Sequence, residues 1–221
     1  EFEQNNAVTI AGDVAAAANG EGTIELTGTG KTLSGTLGAS AKKLKEVQVD
    51  AASGVLSGTG YITLLDVNAA VTLSGAMNLG TATIDAATAS SGGITATTVT
   101  MGNGDVLTVS DGNVTSAIVL SNATSGLTIS GSDVTITGDI NASSGTDAGI
   151  VTVSGAKATF AGNLGAASGT NILTLAVAAS KRAVITETAN FVDQIDMAAL
   201  GELEITKAVT SGTVFTFAGT T

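Results

Sequence analysis

Short units in which apolar and polar residues alternate recur along the chain, and they end in glycine. Each runs for five residues, as in Val8-Thr-Ile-Ala-Gly, and six of them begin at Val8, Ile24, Val71, Leu127, Val134 and Val151. Alternation with a period of two predicts a half-buried β-strand, and the closing glycine predicts a turn. Because residues i and i+2 of a strand share a face, the residues predicted to point into one continuous core are Val71, Leu73, Val134, Ile136, Val151 and Val153.

The spacing of apolar residues predicts a solenoid. Nearly equal steps separate Ile24, Val47, Val71, Ile94 and Ile118, and a second series runs through Leu33, Leu56, Ala82, Val106 and Leu127. A near-constant period built from strand and turn alone is typical of a β-helix. The sequence therefore predicts an all-β fold, a single-stranded parallel β-helix of roughly nine coils. A β-sandwich or Greek key is the alternative, because closely spaced short strands also suit it.

The chain is predicted to form one domain over residues 1–221. Two stretches are expected to differ from the regular coils. Residues 1–14 form a possible docking or capping strand, and residues 181–221, which begin with Lys181 and Arg182, form a possible terminal cap. Capping is expected because the open end of a solenoid leaves an unpaired strand edge.

Composition excludes several kinds of chemistry. The 221 residues include no Cys, His, Trp or Pro, but 29 Gly. Metal sites built from Cys and His, catalytic thiols, His-based acid–base catalysis and disulfides are therefore ruled out. A net charge of −11 opposes binding to nucleic acid and to anionic membranes. No uninterrupted apolar run is long enough for a membrane-spanning helix, so no membrane insertion by a helix is expected.

Acidic residues offer a candidate cation site. Eight Asp residues are spread singly between Val47 and Ala156. Asp105, Asp111 and Asn113 would supply hard oxygen ligands for Ca²⁺ if neighbouring turns brought them together. The alternative is that these side chains shape turns by bonding to the backbone. No cofactor is expected, with Ca²⁺ as the one possible ligand.

Three further patterns have simpler interpretations. Gly28-Thr-Gly-Lys31-Thr32 is similar to the end of a phosphate-binding loop, but Glu25 stands where the first glycine is required, which favours a turn. Thr81-Ala-Thr83 and Thr95-Ala-Thr97 are typical of ice-binding arrays, but such pairs do not recur in every coil. Paired carboxylates for polysaccharide cleavage lack aromatic and Arg companions. No enzyme is predicted.

Two longer segments carry a family resemblance. Leu127 to Gly145 and Val151 to Gly169 resemble repeats of large bacterial surface proteins, namely autotransporter or filamentous-haemagglutinin-like passengers and Thr/Ala/Gly-rich S-layer proteins. The resemblance covers about Val8 to Leu175, in composition and repeat rhythm. It implies secretion, a rigid Cys-free rod and a structural or adhesive role, and it identifies no functional residue.

The predicted function is that of a non-enzymatic extracellular structural protein that assembles with itself, head to tail, into a surface fibre, matrix or layer. The strand predicted to dock on a neighbour's open edge, or to form the first coil of its own chain, comprises Asn5, Asn6, Ala7, Val8, Thr9 and Ile10. The alternative is an adhesin passenger fragment that binds a host or cell-surface ligand. Ice binding and polysaccharide cleavage rank below both.

Overall fold

The computed structural model describes residues 2–4, 9–102, 104–143, 147–166, 170–187, 191–207 and 213–218. Within these ranges the chain forms 23 β-strands and no helix. The described part of the chain accordingly offers no helix of the length and apolarity that a membrane crossing needs.

The strands, numbered in chain order, are β1 (Phe2–Gln4), β2 (Thr9–Ile10), β3 (Glu21–Leu26), β4 (Thr32–Leu33), β5 (Leu44–Val49), β6 (Gly54–Leu56), β7 (Gly60–Val67), β8 (Val71–Leu73), β9 (Met77–Ile84), β10 (Thr88–Ser90), β11 (Ile94–Met101), β12 (Val106–Val109), β13 (Val114–Leu120), β14 (Gly126–Ile129), β15 (Val134–Thr137), β16 (Ile140–Ala142), β17 (Ala148–Val153), β18 (Lys157–Phe160), β19 (Ile172–Val177), β20 (Arg182–Ile185), β21 (Val192–Met197), β22 (Glu202–Ile205) and β23 (Val214–Phe217).

Two long sheets contain these strands. The first has the order β1-β3-β5-β7-β9-β11-β13-β15-β18-β20-β22, with β16 beside β13, and the second has the order β2-β4-β6-β8-β10-β12-β14-β17-β19-β21-β23. Every ladder within these two sheets is parallel. The predicted parallel β-helix is confirmed, with about ten turns rather than nine. The sandwich alternative is wrong, because sandwich strands pair antiparallel.

The first sheet bends within its longest strands. In β7 the alternation is interrupted by two successive outward residues, Thr63 and Leu64. Consecutive side chains of a straight strand point to opposite faces, so two on the same side mark a corner. The start of β13 then pairs with β15 and its end pairs with β16. Each coil in this region has three straight segments, two in the first sheet and one in the second.

Coil length varies, which corrects the predicted near-constant period. In the second sheet, ladder partners follow one another through Ile10, Leu33, Leu56, Leu73, Ser90, Val109, Ile129, Val153, Val177, Met197 and Phe217. The step from Leu56 to Leu73 is among the shortest, and the step from Ile129 to Val153 is among the longest. The predicted series is wrong because the corners differ in length while the straight segments keep their register.

Two pairings show the error directly. Val47 pairs with Leu65 and not with Val71. Leu56 pairs with Leu73 and not with Ala82. Each predicted series therefore passes from one sheet to the other at a short coil.

The interior of the coils is a continuous apolar core. The six residues predicted to point inward are all buried, with exposures of 4% or less: Val71, Leu73, Val134, Ile136, Val151 and Val153. Their neighbours Thr72, Thr135 and Thr152 lie at the surface or are half-buried. The prediction of strand phase from period-2 alternation is therefore confirmed for these units.

A row of glycines lines the corner at which the chain leaves the second sheet. This glycine corner comprises Gly12, Gly35, Gly58, Gly75, Gly92, Gly131 and Gly155. A Cβ atom added at Gly58 would lie 1.9 Å from the backbone oxygen of Gly35, and one added at Gly75 would lie 2.0 Å from that of Gly58. Close approach therefore requires glycine in these coils, whereas the register places Asp111 at this position in the coil between Gly92 and Gly131. In two late coils alanine stands where the other coils have this glycine. The residues that follow these alanines, Ser180 and Leu200, have positive φ angles of 58° and 60°.

The serine before the glycine ties the same corner to the preceding coil. Ser34 donates its Oγ proton to the Ile10 carbonyl oxygen at 3.3 Å, and its backbone N–H donates to the same oxygen at 2.9 Å. Ser130 and Ser154 repeat this arrangement on the preceding coils, each at 3.3 Å from Oγ to the carbonyl oxygen. The Ser-Gly ending of the sequence units thus reflects contact between coils as well as a local turn.

Replacing Gly58 by Ala is expected to destabilise the fold by about 2–4 kcal/mol, because the new methyl group would overlap the Gly35 backbone. Gly12→Ala is the matched control, since a Cβ at Gly12 would meet nothing within 4 Å. Urea unfolding of both variants measures the difference. Equal free energies of unfolding for the two variants would contradict the close-approach explanation.

Candidate functional site

The three residues predicted as Ca²⁺ ligands lie at two different corners. Asp105 directly precedes β12, whereas Asp111 and Asn113 follow it. The Asp111 Oδ1 accepts the Gly112 N–H at 2.8 Å, and the Asn113 Oδ1 accepts the Thr135 N–H at 2.9 Å. Within the described ranges, no group of three or more acidic residues is arranged to hold a metal ion.

Several Asp and Asn side chains bond to the next coil rather than to their own turn. The shared feature is an Oδ1 atom that accepts a backbone N–H from a residue 22–24 positions later. The pairs are Asp13 with Thr36, Asn19 with Lys43, Asn113 with Thr135, Asp139 with Asn163, and Asp147 with Asn171. These oxygens hold successive corners in register, a role that turn propensity alone does not indicate.

Amide side chains bridge the acidic residues at another corner. Asn68 donates from Nδ2 to Asp50 Oδ1 at 2.9 Å and to Asp66 Oδ2 at 3.2 Å. Gln48 donates from Nε2 to the same Asp50 oxygen at 3.0 Å. The neutral amides reduce repulsion between the two carboxylates, so this cluster serves the stacking of its coils.

Asp105 is electrostatically distinct from these groups. Burial, followed by the nearby carboxylate of Asp85, raises the pKa of Asp105 above its ordinary value. Both effects disfavour the charged form, because a low-dielectric site solvates the carboxylate poorly and a like charge repels it. Asp105 therefore opposes folding more strongly when it is ionised than when it is protonated.

Lys31 is buried, which the sequence around it does not predict. Its side chain is fully buried, and its Nζ atom has no hydrogen-bond partner among the described residues. It occupies the inward position of the second sheet that corresponds to Gly54 in the next coil. Lys31 thus contributes to the core and not to a phosphate-binding loop.

The threonine pairs form only a small array. Thr81 and Thr83 of β9 lie beside Thr98 and Thr100 of β11. The flanking coils place Leu64 and Asp66 on one side, and Ala117 and Val119 on the other. The regular Thr array around Thr81 therefore covers two coils.

The N-terminal strand pairs within its own chain. Thr9 and Ile10 form β2 and lie in register with Thr32 and Leu33. Asn5, Asn6, Ala7 and Val8 lie outside the described residues. Of the two arrangements considered for this segment, its described part adopts the intrachain first coil. No strand among the described residues pairs with the outer edge of β2.

The C-terminal coils continue both sheets and end in an exposed apolar edge. We define this C-terminal edge as Leu203, Ile205, Val214, Phe215 and Phe217. Phe215 and Phe217 are 41% and 69% exposed, whereas their ladder partners Ile195 and Met197 are 1% and 5% exposed. The two Phe rings stack with centroids 6.3 Å apart. The strands over residues 182–217 are coils in their own right, and a capping role for residues 181–221 stays a prediction.

Sequence reasoning missed this edge, although the signal was present. Val214-Phe-Thr-Phe has the alternation of the other units, with two of the chain's five Phe residues at its inward positions. An inward position is buried only when a further coil stacks on it. Among the described residues, no strand follows β23 in the second sheet.

Comparison with known proteins adds no relative: no family, no curated protein and no solved structure matches the chain. The resemblance to bacterial surface proteins therefore stays an expectation. The candidate functional site is the C-terminal edge, because Val214, Phe215 and Phe217 are exposed apolar residues.

Asp105→Asn is expected to stabilise the protein at pH 7 relative to wild type, because it removes a carboxylate that burial and Asp85 disfavour. A raised folded pKa means that the folded state holds the proton more tightly, so the wild type loses stability as pH rises through the interval between the unfolded and folded pKa values. The advantage of the variant should therefore disappear at pH 3. Melting curves at both pH values measure the stability of Asp105→Asn relative to wild type, with Asp111→Asn as control. A stabilisation that is the same at both pH values would contradict the prediction.

Lys31→Met is expected to raise the free energy of unfolding by about 1–3 kcal/mol, because it replaces a buried amine without a described partner by an apolar side chain of similar length. Lys45→Met, at an exposed position of β5, is the control and should change stability by less than about 0.5 kcal/mol. Denaturant titration compares the two. Destabilisation by Lys31→Met would show that the amine makes a favourable interaction in the folded protein.

Proposed function

We propose that this protein is a non-enzymatic extracellular structural rod that assembles end to end with copies of itself. The observation that carries the proposal is the C-terminal edge, where the inward side chains Phe215 and Phe217 of β23 are exposed and Leu203 and Ile205 of β22 are only partly buried. The resemblance to repeats of bacterial surface proteins supports an extracellular location.

An exposed strand edge tends to pair with another strand. An edge strand presents a row of unpaired N–H and C=O groups, and natural proteins protect it with charges, bulges, proline or a covering segment. In β23 the residues are Val, Phe, Thr and Phe, without a charge or proline. Burying a Phe side chain contributes about 1.5–3 kcal/mol, so covering this edge is favourable.

The middle of the rod supports a structural role. Successive coils are held by ladder hydrogen bonds, by the glycine corner and by Asp and Asn side chains that accept backbone N–H groups across coils. Such a unit is stiff along its axis, because each coil is fixed on both sides. With strands about 4.8 Å apart, the ten turns give a rod of about 48 Å. This geometry suits a subunit that assembles into a long filament.

Sedimentation velocity and negative-stain electron microscopy over a range of protein concentrations test the proposal. We expect multimers that grow with concentration and appear as threads one solenoid wide. Phe215→Asp and Phe217→Asp together should abolish growth, whereas Ile150→Asp, which replaces a 36% exposed apolar residue in the middle of the rod, should not. A wild-type protein that remains monomeric at the highest soluble concentration would contradict end-to-end assembly.

A further inference from the structure

We infer that a groove on the side of the rod binds a small aliphatic amine in its protonated form, with the hydrocarbon body over an alanine floor and the ammonium group beside Asp85 and Asp105. The groove lies on the outer face of the second sheet, across the coils of β6, β8, β10 and β12, and has a volume of about 400 Å³. Neither end of the described chain contributes to it. The inference goes beyond end-to-end assembly and does not depend on it.

The groove exists because two successive coils have short corners. The corners before β8 and β10 contain three residues each, whereas the corners before β6 and β12 contain four residues each. The two short corners lie side by side, since Val71 of β8 pairs with Thr88 of β10. Ser53 and Val106, from the longer corners, form the walls. With coils about 4.8 Å apart, the two recessed coils give a floor about 10 Å wide.

The alanine floor is formed by Ala70, Ala87 and Ala89. These residues present methyl groups, and the lining residues Val71 and Thr88 are almost fully buried. The hydroxyl group of Thr88 is already bonded, because its Oγ1 donates to the Ala86 carbonyl oxygen at 3.0 Å. A hydrocarbon body on this floor would therefore displace water mainly from methyl groups, which is favourable.

Two carboxylates lie at the corner beside the groove. Asp85 stands two residues before Ala87 of the floor, and Asp105 directly precedes the wall residue Val106. Among the described residues, neither carboxylate has a hydrogen-bond or ion-pair partner. The Asp85 carboxylate lies against Gly102 of the next coil, where a Cβ atom would overlap its Oδ1 atom. The glycine thus leaves the space that this carboxylate occupies.

The preceding corner shows how the chain neutralises other carboxylates. The two amide hydrogens of Asn68 go to Asp50 and Asp66, so none is left for Asp85 in the next coil. No Lys or Arg occurs between residues 47 and 156, so the sequence of the surrounding coils supplies no cation. Asp85 and Asp105 therefore lack the compensation that the neighbouring acidic residues have.

The pair also opposes folding when it is ionised. Burial, followed by the charge of Asp85, raises the pKa of Asp105 above its ordinary value. A cation bound beside both carboxylates would offset their repulsion. Acidic groups of this kind at the edge of a cleft are typical of binding sites.

Charge and surface together determine the occupant. An ammonium group would supply the missing positive charge and donate charge-assisted hydrogen bonds to Asp85 and Asp105, whereas a carboxylate or phosphate would be repelled. The alanine floor favours a cation that carries hydrocarbon over a hydrated metal ion. The volume lies in the lower part of the range of about 300–1,000 Å³ for small-molecule sites. These properties together fit a primary amine on a short hydrocarbon chain.

Ligand-observed NMR titration of the wild-type protein with three probes of similar length tests the ligand class. Hexylammonium has the charge and the hydrocarbon, 1-hexanol has the hydrocarbon alone, and hexanoate has the opposite charge. We expect hexylammonium to bind at least about tenfold more tightly than hexanol, and hexanoate not to bind. Equal affinities for hexylammonium and hexanol, or no binding of hexylammonium, would overturn the inference.

Variants locate the site, with circular dichroism as the check of folding. Asp85→Asn with Asp105→Asn should lower the affinity for hexylammonium about tenfold, to that of hexanol. Asp111→Asn with Asp133→Asn makes the same change in net charge at other corners and should leave the affinity unchanged. Hexylammonium binding at full affinity to the Asp85/Asp105 variant would overturn the assignment.

The floor is tested separately. Ala87→Leu should fill the groove and weaken the binding of both hexylammonium and hexanol, whereas Ala76→Leu, at an exposed alanine of another corner, should not. Undiminished binding to the Ala87 variant would overturn the assigned floor. Wild-type multimers that dissociate on addition of hexylammonium would identify a lysine of a second copy as the occupant, and would overturn the assignment to a small amine.

Discussion

The structure depends on one repeated contact, the parallel backbone hydrogen bonding of each coil to the next at the spacing of adjacent strands. This spacing brings the corners as close together as the strands themselves. Where the chain leaves the second sheet, the backbone of Gly58 approaches that of Gly35 so closely that a side chain cannot be accommodated. The inward Val, Ile and Leu ladders, the Ser-Gly corners and the Asn and Asp bonds between coils follow from the same spacing.

Because the contact is between neighbouring coils, the burial of each inward residue depends on the coils on both sides of it. An interior residue such as Met197 is covered by the coils on both sides, whereas Phe217 in the next position has a described partner on one side only. The apolar edge is therefore a consequence of the fold and not a separate feature. The C-terminal edge carries large apolar side chains, among them Phe215 and Phe217.

Local alternation made the fold class and the inward residues predictable, whereas register and side-chain roles depend on the neighbouring coil. Val134 and Ile136 can be assigned to the core without knowing which coil lies next to them. Spacing does not predict the register, because the corners differ in length and many apolar residues could mark the start of a repeat. The spacing series therefore assigns Val71 to the wrong sheet. Asn113 bonds to a residue one coil away, and the residues around Lys31 in the sequence do not show that its side chain is buried. The apolar end was missed because an edge strand has the same sequence pattern as a strand inside the rod.

Cryo-electron microscopy of the assembled protein is the most direct test of the central claim that coil stacking continues from one copy to the next. The described residues contribute eleven strands to the second sheet, so continuous stacking predicts a rise of at least about 53 Å per subunit along the axis, with all copies pointing the same way. Subunits related by twofold axes, or packed side by side with their C-terminal edges exposed, would contradict the account.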